Sequence, residues 1–163
     1  MVSNLASVHP KAQLGNNVTV DAFASISGDV VIGDNTWIGP NAVIMDGTRI
    51  GKNCKIFPGA VLGGIPQDLK YKGENSLAEI GDNVVIREYV TINRGTVDRM
   101  TTKVGNNTMI MAYAHIAHDS FIGNNVILAN YVGITGHVTI EDHVIIEGLS
   151  GTQQFIRIGA HSF

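Results

Sequence analysis

An aliphatic residue returns at every sixth position along most of this chain. From Val8 the series runs through Leu14, Val20, Ile26, Ile32, Ile38, Ile44, Ile50 and Ile56 to Leu62. It resumes at Ile80, Ile86 and Ile92, and again at Val104, Ile110, Ile116, Ile122, Leu128, Ile134, Ile140, Ile146 and Ile158, with Thr152 as the one exception. Four places after the aliphatic residue stands a small or β-branched one, as at Ala12, Val18, Ala24, Thr36, Ala42, Cys54, Ala60, Val84, Ala114, Ser120 and Val126. An even period keeps one side of an extended chain inward in every repeat, whereas 3.6 residues per turn would scatter these positions around a helix. Gly often follows the aliphatic residue, and Asn often takes the fourth place (Asn17, Asn35, Asn41, Asn53, Asn83, Asn107, Asn125). Both types tolerate turn conformations.

The chain therefore reads as strand, corner, strand, corner. Three six-residue sides close an eighteen-residue coil, and coils stack through backbone hydrogen bonds with a rise of about 4.8 Å. The expected fold class is all-β: a parallel β-helix in the form of a triangular prism, one domain over residues 1–163. Two segments, 64–79 and 97–103, break the pattern and are read as protruding loops that leave the six-residue count intact. Loops on a regular scaffold are common places for ligand contacts.

Composition narrows the picture. A hydrophobic fraction of 44% over 163 residues suffices for one continuous core. The net charge is −3 and the 11 Lys and Arg are scattered, so nucleic acid is not an expected partner. A lone cysteine, Cys54, cannot form an internal disulfide or a Cys-based zinc cage, which makes a reduced cytoplasm the default. No stretch approaches the roughly eighteen apolar residues of a membrane span.

Candidate chemistry gathers in MAYAHIAHDS, residues 111–120, with His115, His118 and Asp119. Counting in eighteens places His118 under Gly136 and then Gln154, and Asp119 under His137. These groups should share one prism edge within about 10 Å. The inward pattern leaves His118 facing solvent, where an imidazole suits a general base. Asp119 could fix its tautomer as a triad carboxylate does. Neighbours in a flat strand point to opposite faces, so that pairing requires a corner. From spacing alone, a solvated histidine on a surface turn is the favoured reading. His115 and His118, three apart, together with His137, also raise a metal site, since catalytic zinc takes three protein ligands and a water. His9, His143 and His161 belong to no cluster and read as surface residues.

PQDLKYKGE (66–74), IREYVTINRGT (86–96), AHIAHD (114–119), TGHVTI (135–140) and QFIRIGAH (154–161), in this order, resemble the acyl-carrier-protein–UDP-N-acetylglucosamine O-acyltransferases, the family that begins lipid A synthesis in Gram-negative bacteria. The resemblance covers the whole chain and implies a left-handed prism. It implies transfer of an (R)-3-hydroxyacyl group from acyl carrier protein to the 3-hydroxyl of UDP-N-acetylglucosamine, with the cleft between neighbouring prisms of a homotrimer. By position, His118 resembles the family's general base, Asp119 its orienting partner and the Gly136 N–H its oxyanion donor. Gln67, Asp68 and Lys70 resemble residues that hold sugar and acyl groups, and His115, His137 and Gln154 line the same cleft. No metal or other cofactor is implied beyond the donor's phosphopantetheine. Gln153 stands where the family often has His, and the chain stops at Phe163, before the family's further coils and C-terminal helical domain. Two other readings stay open: an inactive β-helical fragment or scaffold, and an interface zinc enzyme of the prism-shaped carbonic anhydrase type, whose histidine spacing is not reproduced here.

Overall fold

The computed structural model describes residues 1–163 as a left-handed parallel β-helix with three sheets of seven, eight and seven strands. Most strands are only two residues long, because each side of the prism must turn a corner within six. The first sheet begins at Ser7–Val8, the second at Gln13–Leu14 and the third at Thr19–Val20, and every pairing is parallel. The register follows the eighteen-residue count where the pattern is unbroken, as in Ile26 beside Ile44 and Ile116 beside Ile134. There is no helix long and apolar enough to cross a membrane.

The six-residue signal is the core itself. A cluster of 32 buried residues runs through the prism, built from the periodic aliphatics and from the small residues four places on, among them Ala24, Ala42, Cys54, Ala60 and Val126. Thr36, Ser120 and Thr108 occupy the same inward place, and their hydroxyls donate to the carbonyls of Gly51, Thr135 and Gly123. All seven fourth-place asparagines named above have φ between 55° and 59°, the left-handed conformation the corner requires.

The first interruption is shorter than 64–79, and the second lies three residues earlier than 97–103. Val61–Gly64 and Leu77–Ile80 are strands, as is Thr101–Val104, so the protruding parts are 65–76 and 94–100. The physical reason is that Leu77, Ala78 and Glu79 pair with Thr101, Thr102 and Lys103, extending one ladder beyond the ordinary two residues. Both loops leave at the same corner, between the first and second sheets. Arg94 pins the first loop to the coils: its guanidinium donates to the Tyr71 hydroxyl at 2.8 Å and to the Asp46 carbonyl at 3.1 Å.

Candidate active site

That corner also carries His118 and Asp119, between the strands His115–Ile116 and Phe121–Ile122. Asp119 takes the fourth place of its repeat with φ 59°, and His137 takes the same place one coil on with φ 63°. The left-handed turn lets adjacent side chains point the same way. His118 Nδ1 lies 2.9 Å from Asp119 Oδ2. The corner geometry that the sequence required is therefore present.

The exposure expected for His118 is not. His118 is 4% exposed and Asp119 fully buried, because the two loops fold over their corner. From the first loop Asp68 brings Oδ2 within 3.7 Å of His118 Nε2. From the second, Thr96 and Arg99 enclose Asp119. Its Oδ1 accepts the N–H groups of Thr96 at 2.9 Å and Arg99 at 3.2 Å, and its Oδ2 accepts the Thr96 hydroxyl at 2.6 Å. The Asp119 N–H donates to Thr102 Oγ1, and its carbonyl accepts from the Arg99 guanidinium.

Burial works against the charge on Asp119, but hydrogen bonds from Thr96 and His118, with His137 nearby, outweigh it and hold the carboxyl below the usual carboxylate range. His137 Nε2 sits 3.5 Å from Asp98 Oδ2 and 3.8 Å from Asp119 Oδ2. Its ring stacks on Phe155 and meets His118 edge-on, with centroids 4.5 and 5.2 Å apart. His115 lies on the adjoining face with Nδ1 2.7 Å from the Thr91 hydroxyl, and burial, reinforced by His118, lowers its pKa below the ordinary histidine value.

Gly136 is buried, and its N–H donates to no group in the chain. Buried unpaired N–H groups are rare in folded proteins. At the next corner, the N–H groups of Asn16, Lys52, Asp82, Asn106 and Asn124 at this place are capped by an Asp or Asn oxygen of the following coil, at 2.7–2.8 Å. Above Gly136 the following coil offers Gln154, which is exposed and makes no hydrogen bond. The structure thus brings together His118, Asp119, His137, Gly136 and Asp68, with His115 beside them. It leaves Gln154, Gln67 and Lys70 on the surface.

Ligand atoms of His118, Asp119 and His137 fall within 4.8 Å of one another. Both Asp119 oxygens are already engaged by Thr96, Arg99 and His118, an arrangement suited to holding a proton network. Sequence reasoning singled out none of Thr96, Asp98, Arg99, Thr102 and Phe155. Thr96 and Phe155 fall within the resembling segments 86–96 and 154–161, and Asp98, Arg99 and Thr102 within the second interruption, with nothing further to mark them.

A bacterial transferase hexapeptide family (six repeats) matches residues 29–64 and 101–136. The acyl-carrier-protein–UDP-N-acetylglucosamine O-acyltransferase of Herminiimonas arsenicoxydans is 46% identical over 163 residues, covering 99% of this chain and 62% of that protein. The crystal structure of the Francisella novicida UDP-N-acetylglucosamine acyltransferase superposes with a TM-score of 0.97 at 44% identity, covering 99% of this chain and 59% of that one. The chain belongs to this acyltransferase family. A relative from Acinetobacter baumannii superposes almost as well, with a TM-score of 0.95 and 43% identity over 96% of this chain and 61% of that structure. The chain therefore spans about three-fifths of the length of these acyltransferases.

Proposed function

We propose that this chain carries the catalytic β-helix of an acyltransferase that moves an (R)-3-hydroxyacyl group from acyl carrier protein to the 3-hydroxyl of UDP-N-acetylglucosamine, the first step of lipid A synthesis, in the cytoplasm. One observation carries the reading: a histidine whose Nδ1 is fixed by a buried, fully hydrogen-bonded carboxylate stands beside a buried N–H with no partner.

With Nδ1 bonded to Asp119, Nε2 of His118 is the free basic nitrogen, and it faces the space next to Asp68. The sugar hydroxyl donates its proton to Nε2 as its oxygen attacks the thioester carbonyl. Charge moves onto the carbonyl oxygen, where the Gly136 N–H receives it. The intermediate collapses with cleavage of the carbon–sulfur bond, and the imidazolium returns its proton to the departing thiolate. Asp119 stabilises the imidazolium without taking its proton. Asp68, with Gln67 and Lys70 on the same loop, would hold sugar and acyl groups, and His115, His137 and Gln154 would line the cleft. The thioester is already activated, so the reaction calls for no metal and no cofactor other than the donor's phosphopantetheine. Following the family resemblance, we place the cleft between prisms of a homotrimer.

The test is transfer of a radiolabelled hydroxyacyl group from its carrier protein to UDP-N-acetylglucosamine, comparing this chain with His118→Ala. Histidine-dependent transfer supports the reading. No transfer by either protein would favour an inactive β-helical piece.

A further inference from the structure

The second loop interrupts the hexapeptide pattern at the one corner where a carboxylate is fully buried. Thr96 O accepts the N–H of Met100 at 2.7 Å, so residues 96–100 form a single closed turn. Inside it the Thr96 hydroxyl accepts the Asp98 N–H at 3.3 Å, which leaves its own proton for Asp119 Oδ2 at 2.6 Å. An ionised carboxylate can only accept, so the Thr96 hydroxyl gives its one proton to Asp119 while a lone pair takes the Asp98 N–H. Thr96 also gives its N–H to Oδ1, and so holds both oxygens of the carboxylate. The same Oδ2 meets His118 Nδ1.

We propose that Thr96 is a positioning residue: its hydroxyl orients the Asp119 carboxylate toward His118 Nδ1, and the second loop exists to hold it there. The inference rests on the acyl-transfer reading for its kinetic consequences, but the clamp itself is a matter of geometry. Thr96 is 4% exposed and its hydroxyl hydrogen-bonds only with Asp119 Oδ2 and the Asp98 N–H, so it acts through Asp119. Its hydrogen bond stabilises the charged carboxylate, so removing it should raise the pH at which Asp119 takes a proton. The other titratable and charged groups facing this pair are His137 and Arg99 around Asp119, Asp98 opposite His137, Asp68 opposite His118 Nε2, and His115 beside His118. None of them supplies a second hydroxyl to Oδ2.

The experiment compares the wild-type chain with Thr96→Val, which keeps the shape and removes the hydroxyl, and Thr96→Ser, which restores it. We expect Thr96→Val to lower kcat about ten-fold with KM little changed, to move the acid limb of the pH–rate profile upward, and Thr96→Ser to reverse both. The side-chain carboxyl 13C signal of Asp119 should titrate at higher pH in Thr96→Val. If Thr96→Val does not fold, Thr96→Ala carries the same readouts. An unchanged carboxyl titration, or a loss confined to thermal stability with kcat intact, would overturn the clamp. If the wild-type chain transfers no acyl group, the acyl-transfer reading has failed, and the carboxyl titration alone decides the proposal.

Discussion

A Cβ added at Gly136 would lie 2.6 Å from Cε1 and 2.7 Å from Nε2 of His118. No side chain fits there without displacing the imidazole. Gly136 does not have a positive φ, so the requirement is for space beside the histidine and not for backbone freedom.

Gly136→Ala should therefore fold normally and lose activity. Displacing a reacting group by about an ångström can cost on the order of a hundred-fold in rate. Steady-state kinetics alongside circular dichroism check this. Wild-type turnover in the alanine variant would refute the placement of His118 against Gly136.

Acid should weaken the fold in two steps of the same sign. The pKa of His115 is lowered from 6.5 by burial, so the native state binds fewer protons than the unfolded state. Its contribution is present above 6.5 and fades as pH falls through the lowered native value. Asp119 is also lowered, from 3.8, by hydrogen bonds that outweigh its burial, so its contribution is present above 3.8 and is lost at still lower pH. Urea unfolding across a pH series should show stability falling below 6.5, and His115→Gln should flatten that first decline. A pH-independent wild-type curve would contradict both assignments.

Position along the prism should set the cost of losing an aliphatic residue. Ile116 is fully buried with coils on both sides, and Ile116→Ala should cost about 2–5 kcal/mol, measured by urea unfolding. Ile158 is only partly buried and pairs on one side alone, so Ile158→Ala should cost clearly less. Equal losses would mean that the core is not continuous in the way its packing implies.

Phe23 occupies a corner place with φ 64° and is 63% exposed, without an aromatic partner. An L-residue with a bulky side chain pays about 1–2 kcal/mol in this conformation, and Asn pays less. Phe23→Asn should raise the thermal midpoint by a few degrees. Tyr89, Tyr113 and Tyr131 hold the same conformation but stack on one another, with centroids 5.2 and 4.9 Å apart. Tyr113→Asn should gain less, because stacking is lost as strain is relieved.

The sequence by itself determined the prism. A period of six is a local property, repeated twenty-three times from Val8 to Ile158, and every repeat but the one at Thr152 supplies its own inward aliphatic. The same counting placed His118 under Gly136 and Asp119 under His137 before any contact was visible, since stacking converts an interval of eighteen into adjacency. The loops were decided by tertiary structure, because residues 65–76 and 94–100 carry no period and take their shape from what they pack against. Burial of His118 followed from them, as did the clamp of Thr96 and Arg99 on Asp119 and the approach of Asp68 to Nε2. A hydrogen bond between residues 23 apart, such as Thr96 to Asp119, has no signature in a local pattern. It exists only because the loop closes over the corner.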